Sequence, residues 1–291
     1  MKRKKIIRLI LTYFLCALFT VICLFPIWAL FVNATRSTLQ IQTTVSFIPS
    51  THLIENYNSL MSKNFMLYRA FFNSVFIAVT STLLSVYFSA LTAYGFYVYN
   101  FKGKGFLFKF VLVILMIPGQ LSMVGFYQFM LKLHLYDSYI PLIIPSIAAP
   151  STVFFLKQYF ESVYPKDLTE ATRMDGANEF LIFNRIAVPV IIPALATMSI
   201  FGMVYSWNNY VMPLILLNTQ SKFTMPMLVQ LLRTDIYATD YGALYLGLAL
   251  TILPLIVIYL VLSKAIIRGV TRVVDNLLDN ALKYTQSGGE V

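Results

Sequence analysis

Long uninterrupted apolar runs constrain this chain more than any other feature. The first covers about residues 6–32, behind the basic start Met1-Lys-Arg-Lys-Lys5, and five more follow at about 71–97, 107–129, 140–160, 186–217 and 244–267. About 20 apolar residues suffice to cross the hydrocarbon core of a bilayer as a helix. Inside lipid the backbone satisfies its polar groups only as helices or as a closed barrel. These runs are continuous rather than alternating, so the expectation is helical: an all-α, polytopic membrane protein built as a six-helix transmembrane bundle.

Composition points the same way. Hydrophobic residues make up 58% of the chain and charged residues 12%, against about 25% charged for soluble domains. That excludes an ordinary soluble enzyme. The formal charge is +10, but the cations flank apolar runs and form no basic stripe, which argues against nucleic acid as a partner. They are distributed unevenly across the six runs. If the N-terminus is cytoplasmic, 16 of the 22 lysines and arginines fall on the cytoplasmic side. Cytoplasmic loops carry such an excess, so both termini are expected inside, in the cytoplasmic membrane, with lipid as a partner.

The first apolar run exceeds the 7–15 residues of a signal-peptide core and lacks a small-x-small cleavage site, so it reads as a retained span. Cys16 and Cys23 lie seven positions apart in it, about 10 Å along a helix. That is too far for a bridge, and they read as buried apolar residues. Prolines punctuate the other runs, among them Pro118, Pro141, Pro145, Pro150, Pro189, Pro193, Pro213 and Pro254, each able to kink a helix. Two segments on the outer side, about 33–70 and 218–243, have two readings: docking of an external protein, or capping of the bundle.

The connection at about 161–185 carries the specific signal. Pro165 suits a helix start, and Asp167 and Glu170 sit in the first turns, where the helix dipole favours acids. Gly176 can take the left-handed C-cap or permit close backbone approach. A second short helix can begin near Asn178, carrying Phe180 and Phe183 on one side. This is a helical elbow outside the membrane, and no catalytic set accompanies it.

Glu170-Ala171-Thr-x-x-Asp175-Gly176-Ala177, followed by Ile186-x-x-Pro189 and Pro193, resembles the EAA loop of binding-protein-dependent ABC importer permeases. Further stretches resemble the carbohydrate-uptake, maltose-type branch: Asn56-Tyr57, Phe72-Asn73-Ser74, Ala93-Tyr94, Phe101-x-Gly103, Met116-Ile117-Pro118, Ser206-Trp207-Asn208-x-Tyr210-x-x-Pro213-Leu214 and Thr224-x-Pro226. Thr172 stands where the family more often has a second alanine. The resemblance covers roughly residues 8–270 and implies a transmembrane permease domain over 1–270. It implies that the loop, through Glu170, Ala171, Asp175, Gly176, Ala177, Ile186 and Pro189, forms a coupling helix seated in a cleft of a cytoplasmic ATPase subunit. The spans would then switch between inward-facing and outward-facing states, carrying a sugar or oligosaccharide. The implied partners are a second permease subunit, two cytoplasmic ATPase subunits and an extracellular or periplasmic solute-binding protein.

No G-x-x-x-x-G-K-[ST] loop occurs, so ATP hydrolysis is expected on separate subunits, and the chain is expected to be neither an enzyme nor a cofactor binder. His52 and His134 have no metal-ligand spacing. For the substrate path, Trp207, Asn208, Asn209 and Tyr210 offer an aromatic surface and amides of the kind that hold sugars. The competing reading is interhelix hydrogen bonding with an interfacial aromatic belt.

The tail, 271–291, departs from the family pattern at Arg272-Val273. Val274-Asp-Asn-Leu-Leu-Asp-Asn-Ala-Leu-Lys resembles the N-box of sensor histidine kinases, with Asn276 and Asn280 in its asparagine positions. It is too short for a kinase domain, and an amphipathic helix is the structural expectation. A membrane-anchored sensor kinase fragment would need a phosphoacceptor histidine in a cytoplasmic helix. An ion-coupled secondary transporter would need ionisable residues inside its spans and an internal repeat. No such histidine occurs, the spans have almost no charges, and no internal repeat is seen.

Overall fold

The computed structural model describes residues 2–62, 66–233 and 239–284, with side chains for 6–62, 66–233 and 239–263. The described residues form helices and no strands. In chain order these are α1 (Lys2–Ala34), α2 (Thr38–Thr43), α3 (Leu53–Ser62), α4 (Leu67–Val98), α5 (Lys104–Leu115), α6 (Met123–Lys132), α7 (Ile140–Ile143) and α8 (Pro150–Val163). Then follow α9 (Lys166–Met174), α10 (Glu179–Leu181), α11 (Val188–Val190), α12 (Ile192–Asn208), α13 (Val211–Leu216), α14 (Met225–Leu232) and α15 (Tyr241–Tyr284).

Four of the six apolar runs become segments long and apolar enough to cross a membrane: Ile6–Ala34, Leu67–Val98, Ile140–Val163 and Tyr241–Ser263. The other two are sharply bent pairs, so six spans result when each pair counts as one. α5 and the segment Gly119–Lys132 meet at 89°. Pro118 is extended there, at φ −62 and ψ 121. A proline disfavours helical backbone in the residue before it and offers no N–H of its own. The last turn of α5 closes instead with short-range bonds from Met116 N–H to the Val113 carbonyl (3.0 Å) and Ile117 N–H to the Ile114 carbonyl (3.1 Å).

The second break corrects the run expected at 186–217. Glu179–Val190 and Ile192–Asn208 meet at 83°. Pro189 and Pro193 each remove a helix donor. The backbone relaxes into a π-helical stretch, Ile182–Ala187, just before the bend. α12 has 17 residues, about 25 Å of helix, and the chain turns at Asn209 into the separate short α13.

Contacts divide the chain into two compact units, Met1–Tyr68 with Met225–Pro254, and Arg69–Thr224 with Leu255–Val291. In the first, the chain after α1 and before α15 folds into the short helices α2, α3 and α14. Ser37 and Gln40 form a reciprocal capping box on α2. Arg36 is buried and donates to Asn33 Oδ1 (3.0 Å), the Gln40 carbonyl (2.7 Å) and the Thr44 carbonyl (2.8 Å). It thereby satisfies carbonyls that a helix end leaves open. Asp240 caps α15 by accepting from Ala243 N–H (3.1 Å), and it also accepts hydroxyl bonds from Thr38 (3.0 Å) and Ser59. Met225, Leu228, Leu232 and Leu60 are buried here. By contrast α1 buries almost nothing within the chain. Cys16 and Cys23 are free and exposed on it, which overturns the expectation that they are buried. Their face is apolar and suited to lipid, so their apolar character needs no protein core.

The second unit has an aromatic core. Tyr94, Phe160, Tyr164 and Phe183 are buried against Leu156, Ile182 and Ile191. Ala90 and Ala93 are fully buried on α4 and let helices approach closely, as small residues do in membranes. Hydroxyls cross-link the helices: Ser81 Oγ donates to Ser206 Oγ (2.9 Å), and Ser146 Oγ to the Ser81 carbonyl (2.9 Å).

α15 continues to Tyr284, so the backbone of most of the tail prolongs the last helix instead of forming a separate one. Its apolar stripe and the side chains of Asn276 and Asn280 lie outside the described residues.

Candidate functional site

The elbow is built as two helices locked at a left-handed glycine. Pro165 is the N-cap of α9, Asp167 lies in its first turn and Arg173 in its last, matching the helix dipole at both ends. Gly176 has φ +82. Its N–H donates to the Arg173 carbonyl (2.9 Å), and Ala177 N–H to the Thr172 carbonyl (3.2 Å). These are the paired bonds of a Schellman motif. Asn178 then caps the next helix, its Oδ1 accepting from Leu181 N–H at 2.8 Å. A β-carbon at Gly176 would meet nothing within 4 Å. Inside this chain, therefore, the glycine serves backbone conformation and not close packing.

Two anchors hold the elbow. Ile182 and Phe183 insert into the aromatic core, with Ile186 packed beside them. Thr169 is fully buried and bonds to the Tyr164 hydroxyl at 2.9 Å. Across the joint, Arg173 Nε donates to Glu179 Oε1 at 2.6 Å. The Tyr99 hydroxyl donates to the other oxygen of Glu179, and the Arg173 guanidinium lies 5.4 Å from the Tyr99 ring centre. Burial first, then the bond to Glu179, push the Tyr99 phenol up to about 12, so it remains a donor throughout the physiological range.

Glu170, Ala171, Asp175 and Gly176 are exposed on the elbow. Ala177 and Ile186 are half-buried, and Pro189 lies beyond, at the bend. The sequence pattern left two features unread. Met174 is 88% exposed, and Phe180, expected on one side with Phe183, is 69% exposed while Phe183 is buried. The Arg173–Glu179–Tyr99 clamp was also missed, because Tyr99 lies far away in sequence and no local pattern signals it.

The second candidate set does not form one surface. Trp207 is buried, packed edge-on to Phe71 at 5.9 Å and beside Ala78 and Met203. Asn208 ends α12, and Asn209 turns the chain, its Oδ1 accepting from Met212 N–H at 3.4 Å. Tyr210 is exposed. Trp207, Asn209, Ser74, Ser206 and Thr224 border a cavity of about 20 Å³, enough for a water molecule and not for a sugar. Asn73 donates to the Ser221 and Phe223 carbonyls, both at 3.0 Å, so it ties α4 to the turn before α14.

Asp137 organises a polar latch beside this region, between α6 and α7. Its φ is +53, a conformation that aspartate tolerates better than most residues. Oδ1 accepts from Asn218 N–H (2.9 Å) and Thr219 N–H (3.1 Å), while Oδ2 accepts from Thr219 Oγ1 (2.6 Å) and Lys222 Nζ (2.9 Å). Burial alone would raise its carboxyl, but the bonds from Thr219, Lys222 and the two N–H groups outweigh it and hold the group well below the usual carboxylate range. An aspartate depressed in the folded state contributes its stability above its unfolded value and loses it as pH falls. The latch should thus be intact at neutral pH and weaken only below about pH 4. Asp137→Asn keeps Oδ1 and should cost about 1 kcal/mol, since the site is partly hydrated. Asp137→Ala also adds left-handed strain and should cost about 3 kcal/mol. Thermal unfolding of the two purified variants should show that order.

The family described as "Binding-protein-dependent transport system inner membrane component" matches residues 85–272, which include the elbow, its aromatic anchor and α12. The arabinooligosaccharides transport system permease protein AraQ of Bacillus subtilis is 36% identical over 267 residues, covering 91% of this chain and 94% of that protein. The sn-glycerol-3-phosphate transport system permease protein UgpE of Escherichia coli K12 is 28% identical over 255 residues, covering 85% and 90%. A crystal structure of a bacterial ABC transporter involved in the import of the acidic polysaccharide alginate contains a chain with TM-score 0.77 and 22% identity. It covers 90% of this chain and 97% of that one, and shares the fold. A permease of this kind works with ATPase and substrate-binding partners and is not itself an enzyme. A helical elbow held by a Schellman glycine on a polytopic all-helical chain, within the matched segment, agrees with that family, and the chain belongs to it: it is an inner membrane permease component of binding-protein-dependent ABC transport systems.

Proposed function

We propose that this chain is one of two permease subunits of an importer that moves a sugar or oligosaccharide across the cytoplasmic membrane by alternating access. Each permease would seat its elbow, about residues 161–185, on one of two cytoplasmic ATPase subunits, and an external solute-binding protein would deliver the cargo. Both termini lie in the cytoplasm in this reading, supported by the 16 of 22 cations on that side. The permease function belongs to residues 1–270, and the tail has no assigned role. Neutral saccharide cargo is favoured over a phosphate ester because the arabinooligosaccharide permease is the more similar of the two relatives.

The observation that carries the docking role is the elbow's exposed apolar pair. Met174 and Phe180 are the most exposed of the elbow's large apolar side chains, and burying each against a partner is worth about 1.5–3 kcal/mol. Glu170 and Asp175 would add polar contacts at the rim. The anchors in the aromatic core let a push on the elbow move α4 and α8 with it.

Met174→Asp/Phe180→Asp should reduce ATPase retention about tenfold when the assembly is purified from its own membrane, while a second permease stays bound. If wild type retains no ATPase under conditions that preserve other importers, the proposal fails. Uptake of labelled arabino-oligosaccharide, run beside labelled sn-glycerol 3-phosphate, tests the cargo class, and faster uptake of the phosphate ester would overturn the saccharide assignment.

A further inference from the structure

A second cleft lies beside the elbow and is bordered by none of the candidate site residues. It is bordered by Phe96 of α4, Lys104, Gly105 and Phe108 of α5, and Lys157 of α8, and it encloses about 290 Å³. The two ammonium groups are held differently. Lys157 Nζ pairs with Glu161 at 2.6 Å and lies 4.7 Å from the Phe108 ring centre. Lys104 Nζ donates to the Tyr99 carbonyl (2.8 Å) and Asn100 Oδ1 (3.4 Å). Both of these acceptors are neutral, and no carboxylate lies within ion-pair distance of Lys104 among the described residues. Lys166 and Lys157 add repulsion at Lys104, and Glu161 offsets part of it. Lys102 and Lys109 lie near Lys104 and Phe108 in sequence and are exposed. The region therefore carries excess positive charge facing a cleft with two aromatic walls.

Its level in the membrane can be read from its neighbours. Phe106, Leu107 and Phe110 are exposed beside the cleft, whereas the chain just before them turns through Asn100, Lys102 and Gly103. Exposed apolar side chains thus take over after Lys104, with Lys109 the one lysine among them. A cleft at that boundary, with cations on the polar side and rings on the apolar side, matches a lipid headgroup with its first methylenes. Basic pockets between helices at such a boundary are known to suit anionic headgroups.

We propose that this cleft binds the phosphate headgroup of an anionic glycerophospholipid. Lys104 and Lys157 meet the phosphate, and the Phe96 and Phe108 rings meet the glycerol and upper acyl chain. The proposal does not depend on the cargo or on ATPase docking. An occupant would also adjoin the elbow, because the Tyr99 carbonyl holds Lys104 while the Tyr99 hydroxyl holds Glu179.

The test uses the purified full chain in bilayers of mixed phosphatidylglycerol and phosphatidylcholine, with retained lipid read by native mass spectrometry. Wild type should retain phosphatidylglycerol on the order of tenfold more than phosphatidylcholine. Lys104→Gln/Lys157→Gln should lose that preference, Lys104→Arg/Lys157→Arg should keep it, and Lys132→Gln, far from the cleft in sequence, should leave it unchanged. If the double glutamine variant does not fold, Lys104→Gln alone, which breaks no ion pair, should still lower the preference about threefold. Undiminished preference in the glutamine variants would overturn the proposal. So would its full loss on adding millimolar inorganic phosphate, which would show a free-anion site instead of a lipid site.

Discussion

Gly242→Ala should destabilise the protein by about 3–5 kcal/mol, the largest loss expected from a β-carbon added at a glycine among the described residues. A β-carbon there would lie 2.2 Å from Asn56 Oδ1, 2.6 Å from its Cγ and 2.8 Å from its Nδ2. Contacts that close force something to move. Asn56 is the wrong residue to move, because it is buried and its Nδ2 donates to the Ala34 carbonyl (2.8 Å) and the Arg36 carbonyl (3.0 Å). Those carbonyls belong to the end of α1 and the turn after it, where no helical donor reaches them. Displacing the amide therefore adds two unsatisfied buried carbonyls to the overpacking cost. It also disturbs the start of α15, where Asp240 gathers Thr38 and Ser59.

A double-mutant cycle separates the causes. Asn56→Ala should cost about 2 kcal/mol on its own through the lost hydrogen bonds. Gly242→Ala added to it should cost far less than it does in wild type, because the space is then free, so the two effects should not add. Thermal half-lives of the detergent-solubilised variants measure this, since unfolding of a membrane protein is often irreversible. Gly242→Ala with wild-type half-life would mean that the close approach is relieved by a small backbone shift and carries no such weight.

Most of the helical plan was legible in the sequence because membrane helices announce themselves by length and hydropathy alone. Runs one, two, four and six appear where expected. The elbow was legible too, since Pro165, Gly176 and Asn178 act through local backbone chemistry that a short window contains. The two bends were only half legible. Pro118, Pro189 and Pro193 marked where a helix could break, but the size of a bend depends on where the freed carbonyls find partners. Trp207 was left with two readings for a different reason. An aromatic residue next to two asparagines suits a sugar and a helix interior equally well, and its packing against Phe71 and Met203 is not visible in a local window. Asp137 and Asn56 were illegible as anchors because their partners lie about 80 and 20 residues away.

Substitutions at Gly176 should produce the largest functional loss, and their order tells which property of glycine the elbow uses. The φ of +82 is left-handed, costing an alanine about 1–2 kcal/mol and a β-branched residue more. If the seated elbow must keep this turn, its competent fraction falls by that energy, and apparent affinity for the ATPase falls with it. Gly176→Ala should then weaken ATPase binding about fivefold to thirtyfold, and Gly176→Val should weaken it beyond that. Gly176→Asn should remain nearest to wild type, because asparagine tolerates the left-handed region. Loss of the turn also separates Arg173 from Glu179, which are paired only because the chain reverses between them. The amount of each variant in the membrane should stay within about twofold, since the aromatic anchor at Ile182 and Phe183 lies beyond the joint. The reverse ranking, alanine binding better than asparagine, would show that side-chain bulk in the partner's cleft sets the limit. Gly176 would then be required for close approach to the ATPase, although nothing in its own chain crowds it.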